Sequence, residues 1–274
     1  MICGASSPWT SSAALKRAKP YGTAFEVIDC GACWRVPWQA MLWHLNPANL
    51  LAYPTHMVGF FKYLCVAGLL LVLAMLGYGA LGYVDAIGDA HGLRQRADGL
   101  IAQGLGGQSL GADRLQQMLR VEDPNFWHHA GMDMSTPGAG MTTITQSAAK
   151  RLAFDSFKPG IGKIRQTGFA LGMEQVLSKQ QILALWLDSL EMGPGPDGWM
   201  TGFFRAAQKV YGRMPDNLDD QEFQALLAVL IAPSKYRLGT DDPALQERIR
   251  RIARLIADSC TPVNHADVWL EGCR

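Results

Sequence analysis

The sequence is short of charge. Of its 274 residues only 18% are Asp, Glu, Lys or Arg, and 25 basic against 24 acidic side chains leave a formal net charge of +1. Such a balance supplies no clustered basic surface, so nucleic acid is not an indicated partner. Runs of strand-like alternation are also missing, and no internal repeat is evident, which argues against an all-β or solenoid fold. Cysteine is sparse, at six. Cys30 and Cys33, in CGAC, have the spacing of a redox or metal pair. No second pair or nearby histidine follows them, so that signal is weak.

Charge is absent altogether from YLCVAGLLLVLAMLGYGALGYV, Tyr63 to Val84, 22 residues that also lack Pro, Asn and Gln. About 20 apolar residues at ~1.5 Å rise cross the hydrocarbon of a bilayer. The stretch begins too late for a cleaved signal peptide; a buried core helix is the competing reading. Tyr63, Tyr78 and Tyr83 suit the two membrane interfaces. Lys16, Arg17, Lys19, Arg35 and Lys62 precede it, whereas Asp85 and Asp89 follow before Arg94 and Arg96. The positive-inside rule therefore puts the N-terminus in the cytoplasm. The expected layout is a cytoplasmic leader of low order (1–62), a transmembrane helix (63–84) and an extracytoplasmic domain (85–274). Cys260 and Cys273 then fall where a disulfide can form, although sequence leaves their separation open.

Beyond residue 85 the helical period dominates. DAHGLRQRADGLIAQGL extends the membrane helix until Gly104 and Gly106–Gly107 interrupt it. GADRLQQMLRVE places Leu115, Leu119 and Glu122 on one face, and Pro124 ends that helix. GIGKIRQTGFALGMEQVL and SKQQILALWLDSLEMG read as two further helices, the second capped by Ser178 and closing near Gly193. DDQEFQALLAVLIAP is another, and DDPALQERIRRIARLIADSC is the clearest, with Pro243 in its first turn. The expected domain is mainly α.

One short stretch concentrates chemistry: VEDPNFWHHAG, Val121 to Gly131, holds two carboxylates, two aromatics and two histidines. Glu122 completes the apolar face of Leu115, Met118 and Leu119. A carboxylate there loses solvation, which raises its pKa toward the range useful for proton transfer. The plainer account is an exposed glutamate at a helix end, with His129 hydrogen-bonding that end.

Four stretches in order resemble the family 51 glycosyltransferases, the peptidoglycan transglycosylases found alone or fused to penicillin-binding domains. EDPNFWHHAGMD is similar to their first motif through Glu122, Asp123, Phe126, His129 and Gly131. GMTTITQSAAK is similar to the second through Gly140, Thr143, Ile144, Thr145, Gln146 and Lys150, with Thr142 for Ser and Ser147 for Gln. SKQQILALWLD carries Trp186 where the family has Tyr and Asp188 where it has Asn. ALLAVLIAPSKY resembles a late segment. The third motif, Arg-Lys-x-x-Glu, falls on Gly162, Lys163, Ile164, Arg165 and Gln166, so its Arg and second Glu are missing. Only eight residues separate Asp133 from Thr142, a shorter connection than the family's mobile loop.

The resemblance implies one transmembrane helix followed by a lysozyme-like, all-α glycosyltransferase domain. It implies polymerisation of lipid II into β-1,4 glycan, with inversion at the donor sugar C1 and release of undecaprenyl pyrophosphate. Glu122 is then the base. Lys150, Lys163, Arg165 and Gln166 are candidates for the pyrophosphate end. Asp123, Phe126, His129, Thr142, Thr143 and Gln146 are candidates for substrate contact. No metal ligand is assigned; magnesium or manganese is a candidate cofactor by resemblance alone. Expected partners are lipid II, the growing strand, the cytoplasmic membrane and cell-wall synthesis proteins, with the catalytic domain periplasmic. Because Gln166 lacks the charge of the family's Glu, two readings stay open: altered leaving-group handling, or binding of lipid-linked glycan without turnover. If the missing charge limits turnover, Gln166→Glu raises it. A third reading is a glycan-cleaving enzyme with Glu122 as acid. Ser147-Ala-Ala-Lys150 also fits the Ser-x-x-Lys of penicillin-reactive enzymes, but no Ser-x-Asn or Lys-Thr-Gly follows it. Phe154 and Phe157 suit either a membrane-dipping surface or the core.

Overall fold

The computed structural model describes residues 55–274, with side-chain surroundings from Gly59 onward. The Cys30/Cys33 pair and nearly all of the expected leader lie outside the described residues. Helix α1, Thr55–Gly88, exceeds the apolar run at both ends, and over Gly59–Gly88 it is long and apolar enough to cross a membrane. Its side chains from Phe60 to Leu76 are mostly uncovered by protein, as with Leu69 at 59% exposed. That exposure disfavours the buried-core reading, since uncovered leucines on this scale need a partner or lipid. Helix α2, Ala90–Ala102, continues after a break at Asp89.

The remaining described helices are α3, Ala112–Glu122; α4, Ile144–Leu152; α5, Gly162–Val176; α6, Lys179–Ser189; α7, Phe203–Tyr211; α8, Asp220–Val229; and α9, Pro243–Ile256. Local chemistry sets their starts. The Thr143 hydroxyl accepts from Gln146 N, Ser178 and Gln181 form a reciprocal capping box, and Asp219 and Glu222 form another. Asp242 caps α9 with Pro243 in the first turn, where a missing N–H costs nothing. Ile182 to Leu187 are all buried, so α6 runs through the core rather than along a face. Trp186, on α6 itself, and Phe126, Phe169, Phe203 and Phe223 are the large fully buried aromatics of that core.

One expectation needs correction: a strand pair is present. Strands β1, Glu191–Gly195, and β2, Gly198–Thr201, form an antiparallel hairpin, and α6 stops at Ser189 rather than near Gly193. Pro194 and the Pro196-Asp197-Gly198 turn forbid helix and favour reversal.

Helix α1 meets the domain along α5. A Cβ at Gly168 would collide with the Gly79 carbonyl, and one at Gly172 would lie 2.7 Å from the Tyr83 carbonyl oxygen. Small residues four apart thus let two helix backbones touch, as membrane helices do. Arg165 fastens the junction, its Nη2 2.7 Å from Asp85 Oδ2. Cys260 and Cys273 are joined by a disulfide, with Cα atoms 5.2 Å apart.

Candidate active site

The site begins where α3 ends. Asp123 N donates to Leu119 O at 2.8 Å, and Pro124 allows no further turn. Asp123 is fully buried, and its Oδ2 accepts from His129 Nε2 at 2.9 Å and from Ile144 N at 2.8 Å. The second bond places a carboxylate on the first turn of α4, where the helix dipole favours negative charge. His129 Nδ1 accepts from Gly131 N at 3.0 Å, so the ring proton sits on Nε2 and points at Asp123. Thr143 Oγ1 donates to Gly131 O at 2.8 Å. Lys179 Nζ donates to His129 O at 2.6 Å, pairs with Glu174 at 2.8 Å and lies 4.6 Å from the Phe126 ring centre. These bonds tie the turn after Glu122 to the starts of α4 and α6.

That network includes three of the candidate contact residues. Asp123 and Phe126 are 0% exposed and His129 is 9% exposed. All three are enclosed by protein, and none is among the residues that line the cleft holding Glu122.

Glu122 lines a cleft of about 430 Å³ together with Thr142, Thr143, Ser147, Trp186 and Arg248. Burial pushes its carboxyl from an ordinary 4.5 to about 7, against the pull of Arg248 and Arg151; Asp123 adds to the rise. Arg248 is 4% exposed, and neither its Nε nor its Nη1 has a hydrogen-bond partner. Burial lowers its pKa while Glu122 raises it. Arg151 donates through Nη1 to Ser147 O at 2.8 Å, and Trp186 Nε1 donates to Ser147 Oγ at 3.1 Å. Ser147 is therefore a held acceptor in the cleft wall. Arg151 and Arg248 were missed by sequence reasoning. For Arg248 a signal existed: it lies on the apolar face of α9 with Leu245 and Ile252.

A second cavity, of about 750 Å³, lies between α1 and α5. Met75, Leu76, Met132, Met134 and Leu171 make it apolar, whereas Gln146 and Lys163 occupy a polar part of its wall, and Met141 lines both cavities. Lys163 Nζ donates to Thr142 Oγ1 at 2.8 Å. Burial and then the Lys150 charge lower the Lys163 pKa. Lys150 is exposed, 5.3 Å from the Phe157 ring centre. Arg165 is engaged by Asp85 and stands over Phe154 at 5.6 Å. Phe154 and Phe157 pack edge to face with centres 5.4 Å apart and are half-buried.

Gln166 is 1% exposed, and its Nε2 donates to the Gln146 main-chain O at 2.6 Å. Gln146 Nε2 donates to Thr167 Oγ1 at 3.2 Å. The side-chain oxygens of both glutamines are buried without partners. Two neutral amide oxygens are a poor donor set for magnesium or manganese, which bind carboxylates. Asp133, in the same cavity, is spent: although burial pushes it up, bonds from Thr136, Ser135 and Asn125 hold its carboxyl well below the usual range. Among the described residues no group of three or more His, Cys, Asp or Glu converges on a metal position. These residues do not fit a divalent cation.

Comparison with known sequences adds an independent finding. The family model described as Transglycosylase matches residues 108–257. A biosynthetic peptidoglycan transglycosylase of Vibrio parahaemolyticus is 32% identical over 133 residues, covering 44% of this chain and 56% of the relative. One from Acinetobacter baumannii is 30% identical over 158 residues, 53% of this chain and 68% of the relative. One from Bdellovibrio bacteriovorus is 27% identical over 152 residues, 51% and 59%. The matched part of this chain thus spans little more than half of the first of these relatives.

Proposed function

The chain belongs to the transglycosylase family, and from that premise we propose that it is a peptidoglycan glycosyltransferase joining lipid II units into β-1,4 glycan. In this reading α1 anchors the protein in the cytoplasmic membrane, with the domain on the outer face. The exposed Met132, Met134, Met141 and Ile161, at 43–70%, then face the lipid, and the cavity between α1 and α5 receives apolar chain.

In the reaction, the 4-hydroxyl of the acceptor sugar attacks C1 of the donor from the face opposite the pyrophosphate. The new C1–O4 bond forms as the C1–O bond to pyrophosphate breaks. Glu122 takes the hydroxyl proton and later returns it to water. A base with a pKa of about 7 suits neutral pH, because protonation state and driving force are then balanced. Pyrophosphate leaves as an anion and needs no acid. Lys163 and Lys150 stabilise its charge, and Gln146 and Thr142 hold the rim between the two cavities. Arg165 contributes field from the junction. Arg248 and Arg151 keep Glu122 ionisable despite its burial.

The observation that carries the reading is Glu122 as the sole carboxylate among the described residues lining the cleft, faced by a buried guanidinium. Glycan cleavage usually uses two carboxyl groups on opposite sides of the bond, so a single one favours transfer. The competing reading, binding without turnover, draws on the neutral Gln166. Polymerisation of labelled lipid II by the purified protein separates them: product chains support transfer, and stable binding without product supports the other.

A further inference from the structure

The family match ends at residue 257, yet the cleft does not. Val268 lines it, opposite the same loop that supplies Gly138 to Thr143. We infer that the disulfide-closed segment Cys260–Cys273 is a fixed wall of the saccharide cleft and the positioning element for the Gly138–Thr142 rim. The inference rests on the glycosyltransferase reading and assigns the segment a place in the binding of the saccharide beside Glu122.

Two main-chain bonds join rim and segment. Gly138 N donates to Asn264 O at 3.0 Å, and Gly140 N donates to His265 O at 2.9 Å. The contact leaves no room for a side chain at Gly138 or Gly140. A Cβ at Gly138 would lie 2.7 Å from Pro262 Cγ, and one at Gly140 would lie 2.5 Å from Val268 Cγ1. Both glycines also have positive φ, +80° and +67°, which other residues adopt at a cost.

The segment itself is over-determined. The Asp267 carboxylate accepts from the N–H groups of Val263, Glu271 and Gly272 at 3.0, 2.7 and 3.0 Å. Arg251, on α9, donates to Trp269 O at 3.0 Å and pairs with Glu271 at 2.8 Å. Leu270 is 2% exposed and holds φ +54°, a strained conformation that persists only when the surroundings enforce it. Cys273 is buried, and its bond to Cys260 closes the loop. A short connection between Asp133 and Thr142 therefore gains rigidity from a second piece of chain instead of moving freely.

The test uses the full-length protein with lipid II in detergent. Val268→Phe puts a ring into the cleft and raises KM about tenfold with kcat reduced less than about threefold, the split expected when binding rather than chemistry is blocked. Val263→Thr, in the same segment but 71% exposed, leaves KM unchanged. Cys260→Ser with Cys273→Ser speeds amide exchange at residues 138–140 by about tenfold or more, because local opening becomes easier. Turnover in the wild type with an unchanged KM for Val268→Phe overturns the inference and spares the transferase reading. Unchanged exchange at 138–140 in the double variant also overturns it. A wild-type protein without turnover overturns both.

Discussion

Arg248, on α9, and Glu122, at the end of α3, line one cleft, and the guanidinium draws the carboxyl down while burial pushes it up to about 7. Arg248→Gln removes that pull. The acidic limb of the pH profile of kcat/KM then moves to higher pH by about one unit, because a lone desolvated carboxylate titrates later. Activity measured from pH 5 to 9 checks this; an unmoved limb means that Arg248 does not act on Glu122.

Glu122 also makes stability pH-dependent. Its pKa is about 7 folded and about 4.5 unfolded. Between those values the folded protein holds more protons, so the carboxyl costs stability as pH rises through this window. Glu122→Gln removes that cost. The variant gains up to roughly 2–3 kcal/mol over the wild type above pH 7, and the extra gain disappears below about pH 4. Thermal unfolding at pH 4 and pH 8 measures it, and equal differences at both values contradict the assignment.

Gln166 offers a prediction opposite to the sequence expectation. Its Nε2 donates to the Gln146 main-chain oxygen inside the protein. Gln166→Glu replaces that donor with a carboxylate facing a carbonyl, which costs about 1–3 kcal/mol or more. The variant therefore unfolds at lower temperature and turns over no faster. Faster turnover with an unchanged Tm would show that the missing charge limits the reaction.

Lys163 is tied to Thr142 at the boundary of the two cavities. Lys163→Ala lowers kcat about 10²-fold, the usual cost of losing a group that stabilises developing charge. Because the donor set there does not suit magnesium or manganese, chelation with EDTA changes wild-type turnover by less than about twofold. A larger loss, restored by either metal, would overturn the cation-only account.

Much of this was legible in sequence for a local reason. Ser178, Pro124 and Pro243 bound helices through chemistry within a few residues, and each boundary lies where those rules put it. Glu122 was legible from its register on α3. The hairpin was not found, although Pro196-Asp197-Gly198 carried its turn signal. Asp123 and His129 look like polar surface groups until the fold closes Ile144 and Gly131 over them. Arg248 sits among Arg250, Arg251 and Arg254, and only the register of α9 separates the buried Arg248 and Arg251 from the exposed Arg250 and Arg254. The C-terminal wall required pairing residues more than a hundred positions apart, which no local rule supplies.

The most direct measurement is glycan synthesis from labelled lipid II by wild type and Glu122→Gln, alongside their binding of lipid II. The account predicts polymer from the wild type, a loss of about 10²–10⁴-fold in the variant, and binding by both within about threefold. Polymer formed by Glu122→Gln at a rate near that of the wild type would contradict it.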